Sequence, residues 1–180
     1  MINAIAFDLV GVFLVEKDLE LSAFQRDLEK NFGLFGRDEA FIAHFSKKYG
    51  MSERQIEDET RWLIEELYEI REPELLNRLP RLKFAVATSH QSYVIDWLKT
   101  QSCAAGFGYF FCTGDSGLQK TDPQFYYALA ALIGEEPEKI LFVDDRSENC
   151  LTAESIGMRV IHFKRGEALS ATILGALNTL

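Results

Sequence analysis

Five short and almost uninterrupted apolar runs constrain the fold of this chain more than any other feature. They lie at 2–9, 83–88, 109–112, 140–143 and 159–163. Such runs are typical of strands that are buried on both faces of a parallel sheet. Helical patterns alternate with the later runs, at 93–99, 123–133, 147–156 and 167–177. The alternation predicts an α/β fold built on a doubly wound parallel sheet.

Three of the predicted helices begin with recognisable capping residues. Asp122 stands directly before a proline, and proline is favoured at the first position of a helix. Ser52 and Gln55 match a capping box, in which each side chain binds the other residue's backbone N–H group. Ser147 is the predicted cap of a third helix.

The segment between the first and second runs does not follow the alternation. Residues 16–80 contain charged, amphipathic stretches and no clear strand. Their periodicity predicts three helices, at 19–32, 38–49 and 52–70. We therefore expect two units, an α/β core made of residues 1–15 and 81–180 and a small all-helical insert made of residues 16–80.

The composition limits the classes of partner and the compartment. The 28 acidic and 19 basic residues give a net charge of −9, which argues against nucleic acids and anionic membranes because both require a basic face. A small anionic substrate remains possible where local cations surround it. The three cysteines match no disulfide framework or zinc spacing, and no secretory signal is visible. We expect a cytoplasmic protein.

Polar side chains with chemical capability lie at or near the ends of the predicted strands. They are Asp8, the group Thr88-Ser89-His90, Lys120 and the pair Asp144-Asp145. Each has an ordinary structural interpretation when taken alone, such as a helix cap, a buried hydroxyl or a surface lysine. Ligands of open α/β sheets bind outside the carboxyl ends of the strands, so these side chains could converge on one cleft.

Such a set of side chains fits phosphoryl transfer. Carboxylates bind Mg²⁺, which prefers oxygen ligands. A free carboxylate can attack phosphorus and form an acyl phosphate. A hydroxyl and an ammonium group can hold the transferring oxygens. The sequence therefore predicts a site for a small phosphorylated substrate.

In the order and context of these residues, the chain resembles the haloacid dehalogenase superfamily of hydrolases. Asp8 matches the nucleophile of the first motif, and Thr88 matches the Ser/Thr of the second. Lys120, in the context KTDPQFYY, is similar to the lysine of the third motif. The sequence VDDRSEN at 143–149 is similar to the fourth motif, and the insert stands where the family has a helical cap.

The resemblance implies a Rossmann-like core, a cap that sets substrate choice, and an aspartyl-phosphate intermediate formed on Asp8. Thr88, Ser89 and Lys120 would bind phosphate. Mg²⁺ would be held by Asp8, by the backbone carbonyl of Val10 and by Asp145, with Asp144 in an outer role.

Val10 departs from the family pattern. Phosphatases of the family carry a second aspartate at this position, which protonates the leaving oxygen and then activates water. Valine removes that function and keeps the backbone carbonyl. General acid–base catalysis contributes roughly 10²–10⁴-fold, so we expect hydrolysis of alkyl phosphates to be weakened by about that factor. His90 is the nearest candidate by sequence for the missing proton transfer.

Three alternatives remain open at this point. The chain could be a catalytically retired phosphatase scaffold that binds a phosphate ligand or partner. It could be a 2-haloacid dehalogenase, since those enzymes also lack the second aspartate, although Asp144 and Asp145 would repel an anionic substrate when no cation is present. It could be a phosphonatase, but nothing in the sequence marks the cap lysine that such an enzyme needs.

Overall fold

The computed structural model describes residues 1–179, so only Leu180 of the predicted core lies outside the described residues. The strands are β1 (Ala4–Phe7), β2 (Leu14–Glu16), β3 (Tyr68–Ile70), β4 (Lys83–Thr88), β5 (Tyr109–Cys112), β6 (Ile140–Asp144) and β7 (Arg159–His162). The α-helices are α1 (Ala23–Lys30), α2 (Asp38–Tyr49), α3 (Glu53–Leu67), α4 (Leu75–Arg78), α5 (Tyr93–Lys99), α6 (Thr113–Ser116), α7 (Pro123–Ile133), α8 (Ser147–Ser155) and α9 (Leu169–Leu177).

The five predicted runs form one parallel sheet in the order β5-β4-β1-β6-β7. The side chains of β1 alternate between two cores because successive residues of a strand point to opposite faces. Ala4 and Ala6 pack on the face covered by α7 and α8, whereas Ile5 and Phe7 pack on the face shared with the insert. The prediction of a doubly wound, Rossmann-like α/β core is confirmed.

Two of the three predicted helix caps are present. The Asp122 carboxylate accepts the backbone N–H of Gln124 at 2.9 Å, and Ser52 forms its capping box with Gln55. The prediction for Ser147 is wrong, since Arg146 occupies the cap position of α8 and its side chain makes no capping bond. The Asp144 carboxylate instead accepts the N–H of Arg146 at 2.8 Å.

The insert, which we call the cap, is not free of strands. Its three main helices are α1 to α3, but α3 ends at Leu67 and the chain then forms β3, which pairs antiparallel with β2. The expectations of a helix to residue 70 and of no strand in this segment are therefore wrong. The aromatic and β-branched residues Tyr68 and Ile70 suit this short ribbon, which joins the cap to the core. No helix within residues 1–179 is long and apolar enough to cross a membrane.

Candidate active site

A cavity of about 520 Å³ lies at the carboxyl edge of the sheet and contains most of the predicted site residues. The core residues in its wall include Asp8, Val10, Thr88, Ser89, His90, Lys120 and Asp145. The cap contributes Phe32, Gly33, Leu34 and Tyr68. The topology thus brings together residues that are more than 100 positions apart in sequence, because the ends of β1, β4 and β6 meet at one edge.

Lys120 is a buried cation between two carboxylates. Its side chain is 2% exposed, and Nζ lies 2.7 Å from Asp8 Oδ1 and 2.8 Å from Asp144 Oδ2. Burial alone would lower the pKa of Lys120, but the charges of Asp8 and Asp144 raise it, so the ammonium form is held. Lys120 therefore neutralises part of the negative charge beneath the cavity.

Asp144 is fully buried and is a structural anchor for the site. Its carboxylate accepts hydrogen bonds from Lys120, from the backbone N–H of Arg146 and from Asn149 Nδ2 at 3.1 Å. Asn149, which also lines the cavity, was not singled out in the sequence, although its place in the fourth motif could have indicated it. Asp144 itself does not line the cavity, and its outer role toward a metal stays a prediction.

The carboxylate arrangement fits a divalent cation. Asp8, Asp144 and Asp145 each offer one oxygen, and these oxygens lie within 4.8 Å of one another. Burial, with smaller effects from the charges of Asp144 and Asp145, raises the pKa of Asp8 to about 7, although Lys120 acts in the opposite direction. Lys120 pairs with Asp8 and Asp144, while Asp145 has only the exposed Arg165 guanidinium, 3.8 Å away. A cation such as Mg²⁺ could neutralise negative charge that these two side chains leave uncompensated.

The turn after Asp8 is held by Arg71, a residue that no sequence motif indicated. Arg71 Nε donates to the carbonyl of Val12 at 2.7 Å and its guanidinium also donates to the carbonyl of Gly11 at 2.8 Å. Gly11 has a φ of +93°, and an added Cβ would lie 2.2 Å from Asp145 Oδ2. This turn therefore requires glycine, and the close approach places Asp145 directly against it.

Thr88 and Ser89 present hydroxyl groups to the cavity. Thr88 ends β4 and is buried, while Ser89 is half-buried. Neither side-chain hydroxyl makes a hydrogen bond to any residue in the range 1–179, so both can bind a ligand in the cavity.

His90 lies in the cavity wall but has no free proton to donate. It is buried, with Nδ1 at 3.3 Å from the carbonyl of Gln91 and Nε2 at 3.3 Å from the hydroxyl of Tyr68. Burial lowers the pKa of His90 to about 4, so the ring is neutral at neutral pH. Because a carbonyl can only accept, Nδ1 carries the hydrogen and Nε2 accepts from Tyr68. This geometry does not favour His90 as the replacement acid.

Replacing Lys120 by methionine should destabilise the fold by about 3–5 kcal/mol, because two buried carboxylates would lose their cation. Urea unfolding would measure the change. The exposed Lys164→Met variant is the control, with an expected change within about 0.5 kcal/mol. Adding Asp144→Asn to Lys120→Met should recover part of the loss. Equal midpoints for Lys120→Met and the control would contradict this account of the site.

Comparison with known proteins agrees with these features. The sequence model of the haloacid dehalogenase-like hydrolase family matches residues 2–157 of this chain. Flavin mononucleotide hydrolase 1 from Arabidopsis thaliana is 34% identical over 67 residues, which are 37% of this chain and 27% of that protein. The chain thus matches about a quarter of the length of this curated relative.

Two solved structures share the fold over almost their whole length. A predicted HAD-like hydrolase from Porphyromonas gingivalis superposes with a TM-score of 0.75 at 20% identity, covering 98% of both chains. A HAD family enzyme from Bacteroides thetaiotaomicron, solved in complex with magnesium and inorganic phosphate, gives a TM-score of 0.70 at 17% identity. The alignment covers 95% of this chain and 98% of that one.

Fold and site together define a doubly wound α/β protein with an inserted, mainly helical segment and an acidic site at the carboxyl edge of its sheet. The family match covers most of the chain and the four motifs converge on that site. The chain belongs to the haloacid dehalogenase-like hydrolase family.

Proposed function

We propose that this protein is a Mg²⁺-dependent hydrolase of small phosphorylated metabolites that uses Asp8 as its nucleophile. The observation that carries the proposal is the position of Asp8, which lines the cavity at the end of β1 and is bound to Lys120 at 2.7 Å. The free hydroxyls of Thr88 and Ser89 share the same cavity and suit the non-bridging oxygens of a phosphoryl group.

The reaction would proceed in two displacements. A carboxylate oxygen of Asp8 forms a bond to phosphorus while the bond to the leaving oxygen breaks, and the electron pair departs with that oxygen. Water then attacks the aspartyl phosphate, which releases inorganic phosphate and restores the carboxylate. Asp8, the carbonyl of Val10 and Asp145 would hold Mg²⁺, which supplies charge neutralisation for the transferring group, with Asp144 in the outer shell.

Val10 determines which phosphates should react best. No acidic side chain stands at this position, and the His90–Tyr68 pair does not offer a proton to the cavity. Leaving groups that depart without protonation should therefore be favoured. Acyl and aryl phosphates meet this condition on the first step, whereas alkyl phosphates do not.

Three further observations support parts of this proposal. The related Bacteroides thetaiotaomicron enzyme was solved with magnesium and phosphate, the two ligands proposed here. The net charge of −9 disfavours nucleic acid as a partner. All three cysteines are free thiols, which supports a reducing compartment, the cytoplasm.

The proposal is tested by phosphate release from acetyl phosphate and p-nitrophenyl phosphate, with either Mg²⁺ or EDTA present. We expect turnover that requires Mg²⁺, and a rate on glycerol 3-phosphate lower by roughly 10²-fold or more because that leaving group needs a proton. Phosphate binding without release from either activated substrate would overturn the hydrolase proposal and favour the retired scaffold. Turnover that is unchanged in EDTA would overturn the Mg²⁺ part.

A further inference from the structure

The cap loop at Gly33 is bonded to the core from both sides. The N–H of Gly33 donates to Gln91 Oε1 at 3.0 Å, and its carbonyl accepts from Gln119 Nε2 at 3.0 Å. Gly33 is buried, and Gln91 is completely buried. Two core side chains thus hold the two polar groups of one cap residue.

The contact is too close for any residue other than glycine. Gly33 has a φ of +77°, and an added Cβ would lie 2.3 Å from the carbonyl oxygen of Ser89. Ser89 carries one of the free hydroxyls of the cavity, and Gln119 directly precedes Lys120. The cap loop therefore rests on both segments proposed to bind phosphate.

A second anchor lies five residues further along the cap. The Asp38 carboxylate accepts the backbone N–H of Ser92 at 3.1 Å and also the hydroxyl of Ser92. Arg37 donates to the carbonyl of Asp115 at 2.6 Å. The loop from Gly33 to Asp38 is therefore fixed to the core at both of its ends.

Gln91 shows that this contact is specific. Its only side-chain hydrogen bond within residues 1–179 is the one to Gly33, and its Nε2 is buried without a partner. An unsatisfied buried donor costs roughly 1–3 kcal/mol, so an apolar residue would fit this place better if packing were its only role. The bond from Gly33 accounts for the amide oxygen of Gln91.

We propose that Gln91 and Gln119 are positioning residues that clamp Gly33 and keep the cap docked on the core in the absence of substrate. The clamp makes the cap residues Phe32, Gly33 and Leu34 a fixed wall of the cavity. This wall sets the space for the organic part of the substrate. The effect on catalysis rests on the proposed function, whereas the docking itself does not.

Amide hydrogen exchange of the full, ligand-free chain measures the docking directly. We expect the amides of Gly33 and Ser92 to be protected in the native protein. Gln91→Leu removes the unpaired Nε2 but leaves the buried N–H of Gly33 without its acceptor, so one unpaired donor replaces another and global stability should change little. The Gly33 amide should then exchange roughly ten-fold faster, which corresponds to one lost hydrogen bond. Gln124→Leu, at an exposed glutamine, should leave the rate unchanged. An unprotected Gly33 amide in the native protein would overturn the proposal.

Steady-state kinetics test the positioning role. Gln119→Leu should raise KM for p-nitrophenyl phosphate by roughly ten-fold, because the wall that meets the aryl group loses its support. KM for acetyl phosphate, which is too small to need that wall, should stay within about two-fold. An equal loss on both substrates would contradict the positioning role. If native protein shows no turnover, the proposed function fails, while the exchange experiment still decides whether the cap is docked.

Discussion

Asp8→Asn is expected to reduce Mg²⁺-dependent phosphate release by more than about 10⁴-fold, the scale seen when a nucleophile is removed from an enzyme. The amide of asparagine keeps the size of the side chain and can still accept a hydrogen bond from Lys120. It cannot form an acyl phosphate. The measurement is kcat on acetyl phosphate, the substrate least affected by the missing acid.

The stability of this variant provides its own control. Burial raises the pKa of Asp8 from 3.8 to about 7, so the folded state binds the proton more tightly than the unfolded chain does. Ionising Asp8 therefore costs stability, and this cost develops as the pH rises from 3.8 to about 7. Asparagine cannot ionise. In EDTA at pH 8, we expect Asp8→Asn to be at least as stable as the native protein.

The kcat and the stability of Asp8→Asn together distinguish loss of the nucleophile from unfolding of the protein. An inactive variant with native or higher stability would support Asp8 as the nucleophile. Retention of more than about a tenth of the native kcat would show that the attacking group lies elsewhere. A marked loss of stability in EDTA would contradict the charge balance described for the site.

The sheet and its polar edge could be predicted because buried parallel strands leave a clear pattern. The run at 83–88 matches β4 residue for residue. Both faces of this strand are buried, so its inner positions are all apolar and its polar residues lie at its two ends. Asp8 and Lys120 could be placed in one cleft for the same reason, although their contact spans 112 positions. The parallel topology brings the strand ends together without any local signal between them.

The contacts that complete the site could not be predicted because they depend on tertiary packing. Arg71 and Gly33 have no motif around them, and their partners lie between 58 and 86 residues away in sequence. The strand β3 is too short for a periodic pattern. It carries Tyr68, whose hydroxyl forms the hydrogen bond to His90 Nε2. Sequence order places His90 beside the site, but only the packing shows that both ring nitrogens are engaged.

Val10→Asp is expected to raise kcat on alkyl phosphates by roughly 10²–10⁴-fold, the usual contribution of general acid–base catalysis. Val10 is two residues beyond Asp8, is partly buried and lines the same cavity. A carboxyl group there could protonate the leaving oxygen and then take a proton from the attacking water. The gain on acetyl phosphate should be smaller, because its leaving group departs without protonation.

Val10→Asn is the matched control, since it has nearly the same shape as aspartate but transfers no proton. It should show no gain on glycerol 3-phosphate, and Asp8→Asn should abolish the gain in the double variant. The added carboxylate also increases the negative charge beside Asp8 and Asp145, so Val10→Asp should need Mg²⁺ at least as strongly as the native protein. A similar gain in Val10→Asn would show that the valine lowers kcat because it is apolar, and not because it cannot transfer a proton. No gain in Val10→Asp would show that another group already moves the proton.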